Sequence, residues 1–122
     1  MQLALIAVAG ASGALLRYGV ARFVQAVGEP AFPVATLAVN VTGSFAIGFL
    51  ATFLVERTGM SAELRVALLV GLLGSYTTFS TFSFETLQLV ESGQWTQAAL
   101  NVSVSLAGVL AAVWAGQTLA RQ

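Results

Sequence analysis

Gly74-Ser75-Tyr76-Thr77-Thr78-Phe79-Ser80-Thr81-Phe82-Ser83-Phe84-Glu85 sets hydroxyls, aromatic rings and a carboxylate where the surrounding sequence is oily. The stretch overlaps residues 66–84, 19 positions without a formal charge. A helix needs roughly 20 such residues to cross about 30 Å of hydrocarbon. Stability alone asks for none of these polar groups. At membrane depth they are costly unless they face protein, water or a ligand, so the segment reads as the lining of a pathway.

The flanking sequence has the same character. The 122 residues are 57% hydrophobic and 8% charged, with mean hydropathy +0.87, far more apolar than a soluble domain. The charges are Arg17, Arg22, Glu29, Glu56, Arg57, Glu63, Arg65, Glu85, Glu91 and Arg121. Between them lie further uncharged runs, 23 residues at 33–55 and 26 at 95–120. Residues 3–27 form a less clean segment, with Arg17 and Arg22 in its second half. A signal peptide carries its positive charge before the apolar run, whereas nothing basic precedes Leu3. We read a fourth membrane helix, in which Arg22 can snorkel and Arg17 lies deep enough to need a protein partner. The expected fold is an all-α, single integral-membrane domain over residues 1–122, with helices near 3–27, 33–55, 64–88 and 95–120. The connections at 28–32, 56–65 and 88–94 are short and marked by Gly, Pro or charge. Four crossings place both termini on one side.

Composition excludes much chemistry. Cysteine and histidine are absent, which removes disulfides, thiolate and imidazole metal sites, and imidazole acid–base catalysis. Lysine is absent too, and no span holds paired acids, so an enzyme is not expected. So few basic residues argue against a nucleic-acid partner, leaving membrane lipid as the surroundings. Arg57, Arg65 and Arg121 fall on the side of the termini, against Arg22 and Arg17 towards the other. That bias is weak under the positive-inside rule, and a near balance allows insertion in both orientations and pairing as an antiparallel dimer.

Several residues have two readings. Asn40, Gly43, Ser44, Ile47 and Gly48 share one helical face; the amide either bonds a neighbouring helix or touches an anion. Gly71 and Gly74 precede Thr77 and Thr78, a combination that can open the backbone near mid-span and free carbonyls for a small cation, or leave the helix intact with hydroxyls bonded back one turn. Local sequence favours the intact helix. Phe79 and Phe82 share a face, as core packing or as positive ring edges aimed at a dehydrated anion. Asn101, Ser105 and Gly108 share a face of the last helix, either a polar track or ordinary interhelical bonding. Glu85 sits in a vestibule or caps a helix end. Small residues at Gly10 and Ala14, Ser44 and Gly48, Gly71 and Ser75, and Gly108, Ala112 and Gly116 allow close helix packing, within a protomer or between copies.

Three blocks together resemble the Fluc/CrcB family of small fluoride channels. They are Gly10-Ala11-Ser12-Gly13-Ala14 leading to Arg17-Tyr18, Asn40-Val41-Thr42-Gly43-Ser44-Phe45 with Gly48, and Gly71-Leu72-Leu73-Gly74 leading to Thr77-Thr78-Phe79-Ser80-Thr81-Phe82. The likeness covers the whole chain and implies an antiparallel, dual-topology homodimer in the plasma membrane, the inner membrane of a bacterium. It implies passive, electrogenic fluoride efflux through two pores, conferring fluoride resistance. By similarity, Phe79 and Phe82 meet fluoride edge-on, Asn40 is the pore amide, Ser80 and Thr81 supply hydroxyls, and Ser105 belongs to the fourth-helix track. Gly74 and Thr77 would give backbone carbonyls to a structural sodium ion at the dimer centre. Arg17 would be an interior arginine near one pore mouth, and Glu85 would line the opposite mouth. The resemblance also implies a third helix broken at 74–78, against the local preference. Two positions depart from the family pattern: Ser75 stands where a second glycine is common, and Asn101 where an aromatic hydroxyl often stands.

The rival in another class is a proton-coupled small multidrug-type transporter. It requires a membrane-buried acid in the first helix, and residues 3–27 hold none.

Overall fold

The computed structural model describes residues 1–28 and 30–122. Glu29, one of the charges counted above, lies outside them. The described residues are helical, with no strand. In chain order they form α1 (Gln2–Val27), α2 (Val34–Glu56), α3 (Ala62–Val66), a π-helical stretch (Ala67–Leu73), α4 (Gly74–Tyr76), α5 (Phe79–Glu91) and α6 (Trp95–Ala120). Four helical lengths are long and apolar enough to cross a membrane: α1, α2, the composite Ala62–Glu91, and α6. Leu3, Val8, Leu15, Phe23, Leu110 and Trp114 stand exposed on their outer faces, as lipid-facing residues do.

The composite span begins where Ser61 accepts a hydrogen bond from the Leu64 amide, with Glu63 in the first turn. At its far end the helix runs on to Glu91, beyond the sequence expectation at residue 88, because Leu89 still has a buried site to fill. The chain then reverses through Gly93, whose φ of 75° suits a residue without a β-carbon.

Packing divides the helices into two close pairs. α2 lies along α6, and α1 lies along the π-helical stretch and α4, with α5 resting on α6 and α2. Glycine sets both approaches. A β-carbon at Gly116 would meet the Phe49 amide nitrogen at 2.8 Å, and one at Gly48 would meet the Val113 α-carbon at 3.0 Å. On the other pair, a β-carbon at Gly71 would meet the Ile6 carbonyl at 2.8 Å, and one at Gly13 would press on the Leu72 carbonyl. Between helices in lipid no hydrophobic drive exists, so such backbone-to-backbone contact supplies the van der Waals attraction that holds the bundle. The small residues therefore pack helices within the protomer.

Gly116→Ala and Gly48→Ala should each force α2 and α6 apart and destabilise the protein by about 1–3 kcal/mol, the usual range for overpacking. Unfolding of purified protein in detergent micelles measures this, with Gly59→Ala as the control because open space surrounds that residue.

Candidate functional site: a polar seam between α2 and the third span

Between α4 and α5 the backbone leaves the helical region. Thr77 has φ −82° and ψ 159°, and Thr78 has φ −152° and ψ 116°, both extended. Thr78 is buried, 7% exposed, so its peptide groups need protein partners. Asn40 on α2 supplies both. Its Nδ2 donates to the Thr78 carbonyl at 2.9 Å and its Oδ1 accepts from the Thr78 amide at 2.7 Å. The backbone pair fixes the amide orientation, since the other rotamer would set donor against donor. One Nδ2 proton is left over for the adjacent cavity.

The Thr78 hydroxyl caps α5. Its Oγ1 accepts from the Thr81 amide at 3.2 Å and donates to Thr81 Oγ1 at 3.0 Å. With its single proton used, Thr78 Oγ1 can only accept from Ser80 Oγ, 3.3 Å away. Thr81 keeps its own hydroxyl proton free. Thr77 Oγ1 bonds back to the Leu73 carbonyl at 3.0 Å, and its methyl faces Gly43, where a β-carbon would overlap it.

Two cavities meet at Thr78, which lines both. The first, about 300 Å³, brings together Asn40, Gly74, Thr77, Phe79, Phe82 and Ser105. The Phe79 and Phe82 rings lie 5.4 Å apart at 37°. Phe82 is 8% exposed and Phe79 72%, so Phe79 projects from the protomer. The second cavity, about 650 Å³, holds Arg17, Thr36, Thr81 and Glu85. Glu85 Oε1 accepts from Thr36 Oγ1 at 2.9 Å, and Oε2 is buried without a partner among the described residues.

The sequence-derived candidates thus divide by cavity, and Ser80 stands beside the junction, exposed, on the wall of neither. Asn101 is buried but serves helix packing: its Nδ2 donates to Thr86 Oγ1 at 2.9 Å, and Thr86 donates to the Phe82 carbonyl at 2.7 Å. Ser105 Oγ donates to Asn101 Oδ1 at 3.3 Å, a long bond from which the hydroxyl can turn towards the first cavity. Thr36 and Thr86 escaped the sequence analysis. Thr36 was findable, since it stands one turn before Asn40 on the same face of α2.

The pattern of the family described as CrcB-like protein, Camphor Resistance (CrcB), matches residues 4–117. The chain belongs to this family. It is 51% identical over 124 residues to the fluoride-specific ion channel FluC of Methylococcus capsulatus, covering 100% of this chain but 54% of that longer protein. It thus spans about half of that relative's length. It is 50% identical to the FluC of Geobacter sulfurreducens and 46% to that of Rhizobium meliloti, in each case over 96% of this chain and 94% of the relative. These CrcB-family relatives are ion channels and not enzymes.

Asn40→Leu strands a buried N–H and a buried C=O at Thr78, each worth about 1–3 kcal/mol when unpaired. It should therefore cost more than Thr78→Ala, which keeps the backbone pair and removes only the cap, at about 1 kcal/mol. Unfolding in detergent should rank the variants in that order; the reverse order would dismiss the Asn40 pairing as the main support.

Proposed function

We propose that this chain is a fluoride-selective ion channel of the bacterial inner membrane, giving passive, electrogenic efflux through two pores in an antiparallel, dual-topology homodimer. The observation that carries the proposal is the row of neutral donors and ring edges along and beside the two cavities, in a chain whose CrcB-family relatives are fluoride-specific ion channels. Asn40 offers its spare N–H, Thr81 its free hydroxyl proton, Ser80 and Ser105 hydroxyls that can rotate, and Phe79 and Phe82 their positive ring edges. Fluoride is small and a strong acceptor, so close donors offset its dehydration cost, whereas the larger chloride loses water without gaining equal contacts. Neutral groups also hold an anion loosely enough to release it. Arg17 and Glu85 share the larger cavity instead of standing at opposite mouths, and there Arg17 draws anions in while Glu85 lines the wall. Phe79 projects from the protomer, which suits a pathway completed by a second copy.

The break in the third span has a further role in this scheme. In an unbroken helix the Gly74 carbonyl would accept from the Thr78 amide, and that of Thr77 from the Thr81 amide. Asn40 Oδ1 takes the first donor and Thr78 Oγ1 the second. The two carbonyls freed in this way suit a hard cation with oxygen ligands, and Gly74 is exposed, open to a symmetry mate. Gly74 and Thr77 from two copies would hold a structural sodium ion, which would tie the protomers together by charge–dipole attraction.

Efflux needs no fuel, because a negative interior drives an anion outward by about 2.3 kcal/mol per 100 mV. The proton-coupled multidrug alternative is not favoured: the relatives are channels, and α1 carries no acid.

Liposomes holding the pure protein should release fluoride, and not chloride, once a potassium ionophore sets the voltage. Phe79→Ile and Phe82→Ile should each slow fluoride release by roughly two- to tenfold, the rate equivalent of about 0.5–1.5 kcal/mol for a ring-edge contact, with the dimer intact on gel filtration. Equal chloride release by the unmodified protein would sink the proposal, and full flux in both variants would remove the rings from the pathway.

A further inference from the structure

We propose that the Tyr76 hydroxyl is a positioning latch for the pathway: through Thr42 it fixes the residue at which the third span leaves the helix, and hence where Phe79 and the freed carbonyls stand. The inference rests on the conduction proposed above and adds the device that registers the pathway.

Tyr76 is the last residue of α4, a helix of one turn, and its successor Thr77 is extended. Its hydroxyl lies 2.9 Å from Thr42 Oγ1. Proton counting sets the direction of that bond. Thr42 Oγ1 already donates its single proton to the Ala38 carbonyl at 2.6 Å, so Tyr76 is the donor and Thr42 the acceptor. The bond is therefore directional and linked to the backbone of α2. The Tyr76 ring lies against Gly43, where a β-carbon would stand 3.1 Å from its Cδ1.

Three consecutive residues are thus secured to one turn of α2, each by a different contact. Tyr76 is held through Thr42, the Thr77 methyl lies on Gly43, and the Thr78 backbone pairs with Asn40. Asn40 and Gly43 secure residues that are already extended. Tyr76 secures the helical residue before them, the last of the helical run that begins at Ala62. Neither cavity is lined by Tyr76 or Thr42, so the hydroxyl serves no ion directly. Packing on Gly43 would be met equally by a phenylalanine, and a phenol in an apolar setting is costly unless it bonds. Positioning accounts for the oxygen.

The test uses the full chain in detergent and in liposomes, with Tyr76→Phe, Thr42→Val, Thr42→Ser and the Tyr76→Phe, Thr42→Val pair. Amide hydrogen exchange across 76–79 should quicken about three- to tenfold in Tyr76→Phe and in Thr42→Val, the range expected for one interhelical hydrogen bond. It should stay at the unmodified rate in Thr42→Ser and rise no further in the pair. Fluoride release should slow by a similar factor in the same variants and recover in Thr42→Ser. Unchanged exchange in Tyr76→Phe, or effects that add in the pair, would overturn the latch; quickened exchange with full fluoride flux would overturn its positioning role. Exchange is read without fluoride, so a protein that carries none defeats the channel proposal while exchange still decides the latch.

Discussion

Everything unusual in this protein depends on one side chain answering one peptide unit. An extended residue in the middle of a bilayer-length helix exposes an N–H and a C=O to a solvent that cannot bond them. Asn40 presents an acceptor and a donor at the spacing of a peptide group, so Thr78 meets a surrogate β-partner inside a helical bundle. A serine or threonine at residue 40 has a single oxygen and could not span the two groups; an aspartate or leucine would leave at least the carbonyl bare. Once that pairing holds, Thr78 is free to cap α5, Thr81 retains a spare proton, and the Gly74 and Thr77 carbonyls lose their helical donors.

The pairing in turn requires that α2 come close. Gly43 lies one turn from Asn40 and gives up the volume that the Thr77 methyl and the Tyr76 ring occupy. Gly48 and Gly116 in turn bring α6 against α2. In water such approaches would be a minor part of the energetics. Between lipid-facing helices they supply most of the cohesion, because lipid tails are as apolar as leucine. The glycines and the polar seam are thus one design: close backbones shorten the reach across which a small amide must act.

The spans were legible because a bilayer imposes length, and charge-free runs such as 33–55 and 95–120 meet it. The stripe through Asn40 and Gly43 was legible from helical spacing alone. What escaped the sequence was pairing between distant positions. Nothing in residues 67–73 announces a π-helical stretch, the stretch within which Gly71 seats on α1. Asn101 and Ser105 share a face as the spacing requires, yet only the fold tells that the Asn101 amide is spent on Thr86 while Ser105 still borders the first cavity. Local propensity also favoured a continuous helix at Thr77 and Thr78. Propensity ranks residues one by one, whereas the extended dihedrals there depend on a partner 38 positions away.

The distribution of charge carries the last step. The ionisable side chains of the two cavities, Arg17 and Glu85, both belong to the larger one, and the smaller one is lined by amide, hydroxyl, ring and aliphatic groups. In the proposed pathway a fixed cation within the smaller cavity would bind an anion strongly and release it slowly, so an attractive charge serves best in the larger one, where it raises local concentration. Thr78 stands at the junction of these two regimes, contributing its backbone to Asn40 on one side and its hydroxyl to Thr81 on the other. Displacing that residue would disturb the donors of both cavities together, and the proposed latch at Tyr76, two residues upstream and touching neither cavity, would act through it.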